Sequence, residues 1–374
     1  MIRNAWFTAG FSEEFPVGAL KRRIIAGSPL VVWRTQDNEV VALDARCAHK
    51  RFPLWDGRLL DNGHLECAYH GFAFDSSGQC VAIPALHEAT DQIPKSARQV
   101  KFPVVEQQGL VWVWTGDREK MKETAVPQTP EINADGWETR NTDQILVKAN
   151  YRLLIENLFD LTHFYPLHAG NIGSLADARV PVEIERGAWA GNQTLKTIRR
   201  RAPQAMPPMT RDRFGVEYGE QLQLHEMIGP GLFQVHVTVA PEGQLGTDAE
   251  QGFVLYQTIT PESEDSLIWR RSTSCRAGSR WASDRSKPLV DAIVMGAPTV
   301  IEQDKWAIER QHEMLRYPDE GYREVHIKTD GAMMMARSIL NRMDAAENPD
   351  TGGYDPSPRS RTSQGGKVSE MERA

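Results

Sequence analysis

Two cysteines and two histidines recur in a pattern suited to a metal cluster. The chain reads Cys47-Ala48-His49 and, after seventeen intervening residues, Cys67-Ala68-Tyr69-His70-Gly71. Each half offers one thiolate and one imidazole. A structural zinc site more often takes paired cysteines, C-x-x-C, followed by a second pair. Two hairpin loops that each deliver one soft ligand and one nitrogen ligand suit a two-iron cluster instead. Two thiolates then hold one iron and two imidazoles the other, a substitution that raises the reduction potential above that of all-cysteine clusters. The chemistry implied is acceptance and delivery of single electrons.

A second constellation lies a hundred residues on, in Glu156-Asn157-Leu158-Phe159-Asp160-Leu161-Thr162-His163-Phe164-Tyr165-Pro166-Leu167-His168. Asn157, Asp160 and His163 recur at three-residue steps, which places them as one polar stripe on an otherwise apolar helix. Buried polar groups need partners, so three together on such a face call for a use. His163 and His168 are five residues apart, and an unbroken helix would point them about 140° from each other. Pro166 is expected to break the helix between them and let His168 turn back toward a metal that His163 faces. Two imidazoles and one carboxylate make the facial triad that binds non-haem Fe(II) and leaves positions open for oxygen. Asp304, in Glu302-Gln303-Asp304-Lys305, is a candidate for the carboxylate, although spacing alone does not separate it from the neighbouring acids.

The elements that must position these residues fall into two blocks. Residues 1–117 read as short strands with frequent turn signals (RRIIAG, PLVVWRT, VVALDAR, GLVWVWTGD), an all-β domain. A polar, Pro-bearing stretch from Arg118 to about Asp143 reads as a linker or wrap. From Lys148 the spacing of Leu153, Leu154, Leu158 and Leu161 predicts a helix with a buried stripe. Alternating runs follow (LFQVHVTVAPEG, GFVLYQTITPE, DSLIWRRSTS), the mark of an antiparallel sheet with one covered face. A long late helix is predicted over roughly Lys287 to Tyr317. The expected fold is therefore α+β: an all-β domain over 1–117, a second domain over 118–346 with a central antiparallel sheet flanked by helices, and a Gly/Pro/Ser-rich tail over 347–374.

Composition excludes several classes. With 374 residues, 40% hydrophobic and 25% charged, the chain has the mix of a globular protein. A net charge of −7 argues against a phosphate-neutralising surface, so no nucleic-acid partner is expected. The first residues lack the basic start and apolar run of a signal peptide, and no stretch approaches 18 uninterrupted apolar residues; the expectation is a cytoplasmic protein with no membrane partner. Four cysteines are too few for a disulfide framework. Cys80 and Cys275 read as small buried hydrophobes.

The joint occurrence of C-x-H, the spacer and C-x-x-H-G resembles the Rieske domain. The whole order, with N-x-x-D-x-x-H-x4-H and a distant Asp following, resembles the oxygenase component of Rieske non-haem iron oxygenases over nearly the full chain. Arg3-Asn4-Ala5-Trp6 and Glu302-Gln303-Asp304-Lys305 make it most similar to the vanillate and dicamba O-demethylase branch; Ala48 and Ala68 stand where many relatives have proline. The resemblance implies a [2Fe-2S] cluster on Cys47, His49, Cys67 and His70, and a mononuclear Fe(II) on His163, His168 and Asp304. It also implies that Asp160 lies between a Rieske histidine of one subunit and an iron-ligating histidine of its neighbour in a homotrimer, with Asn157 near the iron. The activity implied is O2-dependent oxidative O- or N-dealkylation of an aromatic compound. The alternatives are cis-dihydroxylation or hydroxylation of an aromatic ring and, as a different class, a plain iron–sulfur electron carrier. The chain has no nucleotide-binding glycine motif, so a separate NAD(P)H-dependent reductase or ferredoxin must supply electrons. For the substrate pocket, His225, His236 and Ile268 are the strand residues singled out, and the apolar surroundings of Ile268 favour a less polar aromatic ether or N-alkyl amide.

Overall fold

The computed structural model describes residues 1–87, 90–169, 172–279, 299–317 and 324–349. The predicted α+β architecture is present. The first block is built of three antiparallel sheets. One orders Lys21–Ile25, Ser28–Arg34, Val40–Asp44 and Lys101–Phe102; a second pairs Trp6–Phe11 and Val104–Gln107 on either side of Leu110–Trp114. A third, of two- and three-residue strands (Arg58–Leu59, Leu65–Glu66, Ala73–Phe74, Cys80–Ala82), carries the cysteine–histidine loops. Its core of Trp33, Leu43, Leu54, Leu65 and Phe74 includes the thiol-bearing Cys47 and Cys67, so both loops are anchored at their cysteines.

The second block is an eight-stranded antiparallel sheet. Its central strands are Asn192–Ala205, Tyr218–Ile228, Leu232–Pro241, Gln251–Ser263 and Ser266–Arg276. The stretch read as a linker does more than connect: it contains a short helix, Arg118–Lys122, and Trp137–Asn141, which pairs with Ser266–Arg276 at one edge of this sheet. One face of the sheet meets Trp6, Trp112 and Trp114 of the first block through Leu232, Val254 and Tyr256. The other face packs on three helices, Tyr151–Phe159, Val300–Met314 and Gly331–Glu347. Residues 287–298 of the predicted late helix and the tail from 350 onward lie outside the described residues. No described helix is long and apolar enough to cross a membrane.

Local chemistry sets these helices. Asn150 caps Tyr151–Phe159 by accepting from the Arg152 N–H, and Thr299 with Glu302 forms a reciprocal capping box at the start of Val300–Met314. Gly331–Glu347, which the sequence pattern did not single out, is fastened to the first helix by charge. The Arg337 guanidinium binds both oxygens of Glu156 at 2.7 and 2.6 Å and also reaches Glu324, while Arg152 pairs with Asp344 at 2.7 Å. Arg337 and Glu156 are both buried, so an Arg337→Ala variant leaves an uncompensated carboxylate in the core. It should lose about 3–5 kcal/mol of stability, read as a lowered denaturant midpoint, because one partner of a buried pair has been removed.

Candidate metal centres and cavity

The two cysteine–histidine loops have the same backbone closure. Cys47 and Cys67 each donate their N–H to the carbonyl five residues on (Phe52, Phe72; 2.9 Å), and each accepts from the N–H four residues on (Arg51, 2.8 Å; Gly71, 3.0 Å). Both fourth residues take the left-handed conformation, φ 57° at Arg51 and 71° at Gly71. A Cβ at Gly71 would stand 2.6 Å from the Pro84 ring, so glycine is required there twice over. These turns bring all four residues together. The Nδ1 atoms of His49 and His70 face each other at 3.2 Å on the exposed side, while the thiols sit buried below. Burial pushes the Cys47 thiol up to about 11, with Cys67 acting in the same direction. Two buried thiols facing each other and two ring nitrogens aimed at one point form a donor set that a two-iron cluster satisfies.

The second constellation departs from its predicted path. The helix ends at Phe159, and Asp160 is already extended (φ −83°, ψ 96°), so the break precedes His163. Asn157, Asp160 and His163 therefore do not share one helical stripe. Pro166 is not the breaker; it lies inside a second short helix, Phe164–Leu167. In so short a helix its missing N–H costs no intrahelical bond, since the first turn has no such bonds to lose. His163 and His168 flank this turn of helix, with ring centroids 5.0 Å apart.

Asp304 is the carboxylate they meet. Its Oδ1 lies 3.4 Å from His163 Nε2 and 3.1 Å from His168 Nε2, and it accepts from Asn157 Nδ2 at 3.3 Å. One ligand atom from each of His163, His168 and Asp304 lies within 4.8 Å of the others. The neighbouring Gln303 holds His168 Nδ1 at 2.8 Å through its amide oxygen, which only accepts. His168 therefore carries its proton on Nδ1 and turns a lone pair at Nε2 toward the Asp304 oxygen. Two acceptors 3.1 Å apart in a buried site repel unless a cation or a proton stands between them, so the arrangement fits a metal ion. Burial pushes Asp304 up, but the two imidazoles outweigh it and hold the carboxyl below its ordinary range. Burial pulls His168 down, and Asp304 with Gln303 lifts it above its ordinary value.

Asp160 stands just outside this triad. Its Oδ1 accepts from the Thr162 N–H and hydroxyl, at 2.9 and 2.6 Å, while its Oδ2 lies 4.0 Å from His163 Nδ1. That ring nitrogen is buried and has no hydrogen-bond partner. The Asp160 side chain is 32% exposed, so the carboxylate is open to contacts from outside its own chain.

A cavity with about 790 Å³ of empty space, part of it open to solvent, runs from the triad along the sheet. Phe164, Val235, Val237, Phe253 and Leu255 line it with apolar surface, and Gln221, Gln223 and His225 with polar groups. Of the three strand residues singled out in the sequence, only His225 lines it. Its ring is buried, neither nitrogen has a hydrogen-bond partner, and burial, then the charge of Arg199, push its pKa down to about 3 against the pull of the Leu158 carbonyl. The ring is neutral at physiological pH. His236 pairs in register with Leu224 and Val254 on the opposite face, where Glu131 and Glu226 are its charged neighbours. Ile268 alternates with the inward-facing Leu267 and Trp269 and pairs with Leu146 and Thr260 on that same far face. Both face away from the cavity because the strand period is two. Gln221, Gln223, Arg199 and Gln303 carried no signal in the sequence beyond polarity.

Comparison with known proteins places two family models on the chain. The Rieske [2Fe-2S] domain matches residues 5–105, and the vanillate O-demethylase oxygenase C-terminal domain matches residues 147–346. The putative iron–sulfur subunit of a toluene-4-sulfonate monooxygenase system from Comamonas testosteroni is 31% identical over 94% of this chain and 99% of its own length. The oxygenase component of dicamba O-demethylase from Stenotrophomonas maltophilia is 29% identical over 92% and 98%. Among solved structures, dicamba monooxygenase bound to dicamba superposes with a TM-score of 0.81 at 28% identity, covering 93% of this chain and 99% of that one. A further structure of that enzyme, with non-haem iron and dicamba, gives 0.77 at 26% identity over the same shares.

Proposed function

The chain belongs to the Rieske non-haem iron oxygenases, in the group that holds the vanillate and dicamba O-demethylases, and on that premise we propose that it dealkylates an aromatic ether at the cavity beside Asp304. It is the oxygenase component of a multicomponent system, with electrons supplied by a separate reductase or ferredoxin. The observation that carries the reading is the convergence of His163, His168 and Asp304 at one end of a largely apolar cavity. An electron carrier has no need of that cavity.

When bound, the two iron centres supply electron transfer and the insertion of one oxygen atom into a C–H bond. The balance is an aryl methyl ether, O2, two electrons and two protons in, and a phenol, formaldehyde and water out, by way of a hemiacetal that collapses. The chain's own residues do the rest. Cys47, His49, Cys67 and His70 hold the cluster at an exposed edge where a donor protein can reach it. His163, His168 and Asp304 hold the mononuclear iron, and Gln303 fixes the tautomer and aim of His168. Asn157 keeps one Asp304 oxygen in place. Phe164, Val235, Val237, Phe253 and Leu255 seat the aromatic ring and exclude water. Asp160 is the bridge: a movement of about 1 Å would bring Oδ2 within hydrogen-bond reach of His163 Nδ1, and its exposed side faces His70 of a neighbouring copy in a homotrimer.

The test is aerobic turnover of the reconstituted system on a panel of methoxyarenes, with released formaldehyde and the phenol both quantified. Equimolar formaldehyde and phenol are expected. Products carrying both atoms of labelled O2 on the ring, with the ether intact, would replace dealkylation by ring dihydroxylation.

A further inference from the structure

The end of the cavity formed by strand Tyr218–Ile228 decides what the substrate must carry besides its ether. That strand turns Gln221, Gln223 and His225 inward at two-residue intervals, while the adjoining strands contribute Val235, Val237, Phe253 and Leu255. The cavity is therefore apolar on one side and has a single polar stripe on the other.

The stripe has a defined polarity. Gln223 Oε1 accepts two hydrogen bonds from the buried Arg199, from Nε at 2.8 Å and from Nη2 at 2.5 Å. A guanidinium has no acceptor, so the amide cannot be the other way round. With its oxygen held, Gln223 is left with only its NH2 for the cavity, and that group meets no protein acceptor among the described residues. On one side of it in the strand, the neutral His225 ring offers one N–H, and both its nitrogens are unpartnered. On the other, Gln221 has its amide oxygen buried without a partner and no guanidinium fixing it, so it can turn its NH2 inward. Arg199 also lies 5.2 Å from the centre of the Phe164 ring, one of the cavity's own walls, which sets a guanidinium directly behind the stripe.

We propose that this stripe is an oxyanion seat. The substrate is an aromatic ether bearing a carboxylate or sulfonate, whose oxygens take N–H bonds from Gln223, His225 and Gln221. Arg199 is the positioning residue that fixes Gln223 as a donor and polarises it. The inference rests on the dealkylation reading for the location of the reacting carbon, and it sets aside the less polar substrate expected from the surroundings of Ile268. An anion leaving water for an apolar cavity needs charge-assisted donors, and this wall is where the described residues place them.

Gln223→Glu tests it, because the carboxylate keeps its pairing with Arg199 and so preserves the fold while the only inward donor becomes an acceptor. The probes are 4-methoxybenzoate, 4-methoxybenzenesulfonate and the neutral 4-methoxybenzamide, with binding to the intact holoenzyme measured by anaerobic titration and KM and kcat measured separately. The wild-type protein should prefer at least one anion over the amide by about tenfold or more, the worth of one hydrogen bond to a charged group. The better-bound anion identifies the seat's preference between carboxylate and sulfonate. In Gln223→Glu that preference should invert, with anion affinity falling and the amide, which can donate, retained. Arg199→Met should flatten the preference rather than invert it. Equal binding of amide and anions by the wild type, equal losses for all three in Gln223→Glu, or binding of none of the probes would overturn the oxyanion seat. Anions that bind with the expected dependence on Gln223 yet release no formaldehyde would leave the seat standing and overturn the dealkylation reading instead.

Discussion

Replacing Asp304 by Ala should yield a folded, coloured protein that retains its iron–sulfur absorption, loses its mononuclear iron and has no measurable dealkylation. The reasoning starts from the single oxygen on which three groups converge: His163 Nε2 at 3.4 Å, His168 Nε2 at 3.1 Å and Asn157 Nδ2 at 3.3 Å. Without it, two neutral imidazoles remain, and charge neutralisation of a dication falls by one. Loss of groups that merely orient a ligand costs about 10–100-fold in metal affinity, so loss of the carboxylate ligand itself should exceed about 100-fold. Gln303→Leu is the graded companion. It leaves all three ligands but releases His168 Nδ1, and should fall within that 10–100-fold range. Iron titration of the apoprotein at constant pH, followed by metal analysis and by the visible spectrum of the cluster, separates the two variants. Equal iron retention by Asp304→Ala and the unmodified chain would remove Asp304 from the ligand set.

The contrast between Asp304 and the cysteine–histidine loops shows what a sequence can reveal. Cys47, His49, Cys67 and His70 are legible because each pair of ligands lies within one turn, so spacing along the chain is nearly spacing in space. Asp304 is one of several acids on an amphipathic helix, and only the fold shows that its side lies against His163 and His168 rather than in water. Position 166 misled for a different reason. Proline usually ends a helix, but here the chain has already left the helix at Asp160, and Pro166 sits in a fresh short helix that tolerates it. The inner strand is the sharpest case. In Gln221-Leu222-Gln223-Leu224-His225 a hydrophobic pattern would bury the leucines, yet the glutamines and histidine are buried and the leucines only half so. A ligand cavity inverts the usual phase, because its polar groups are matched to a substrate that the sequence does not contain. The same phase ambiguity put His236 and Ile268 on the wrong side of the sheet.

Asp160→Asn should separate metal binding from coupled turnover. Asp160 is not one of the three converging ligands: its Oδ2 stands 4.0 Å from His163 Nδ1, and its Oδ1 is engaged by Thr162. Asparagine is nearly isosteric and can keep the Thr162 contacts through its own oxygen, so the local turn and both metals should survive. What changes is the group presented to His163 Nδ1. A carboxylate can accept from that ring and, on its exposed side, from His70 of a neighbouring copy, holding both rings in one tautomer. An amide with one oxygen already committed to Thr162 presents NH2 instead, which cannot accept. Exchange of an orienting carboxylate for its amide in a hydrogen-bonded relay can cost up to about 10⁴-fold in kcat through the wrong tautomer, and a loss of that order is expected here. The discriminating readout is single-turnover kinetics with a chemically reduced cluster. Cluster reduction should proceed normally, while its reoxidation in the presence of substrate and O2 slows in parallel with formaldehyde release. A variant that reoxidises and dealkylates at the rate of the unmodified chain would show that electrons reach the second site by a route that does not involve Asp160.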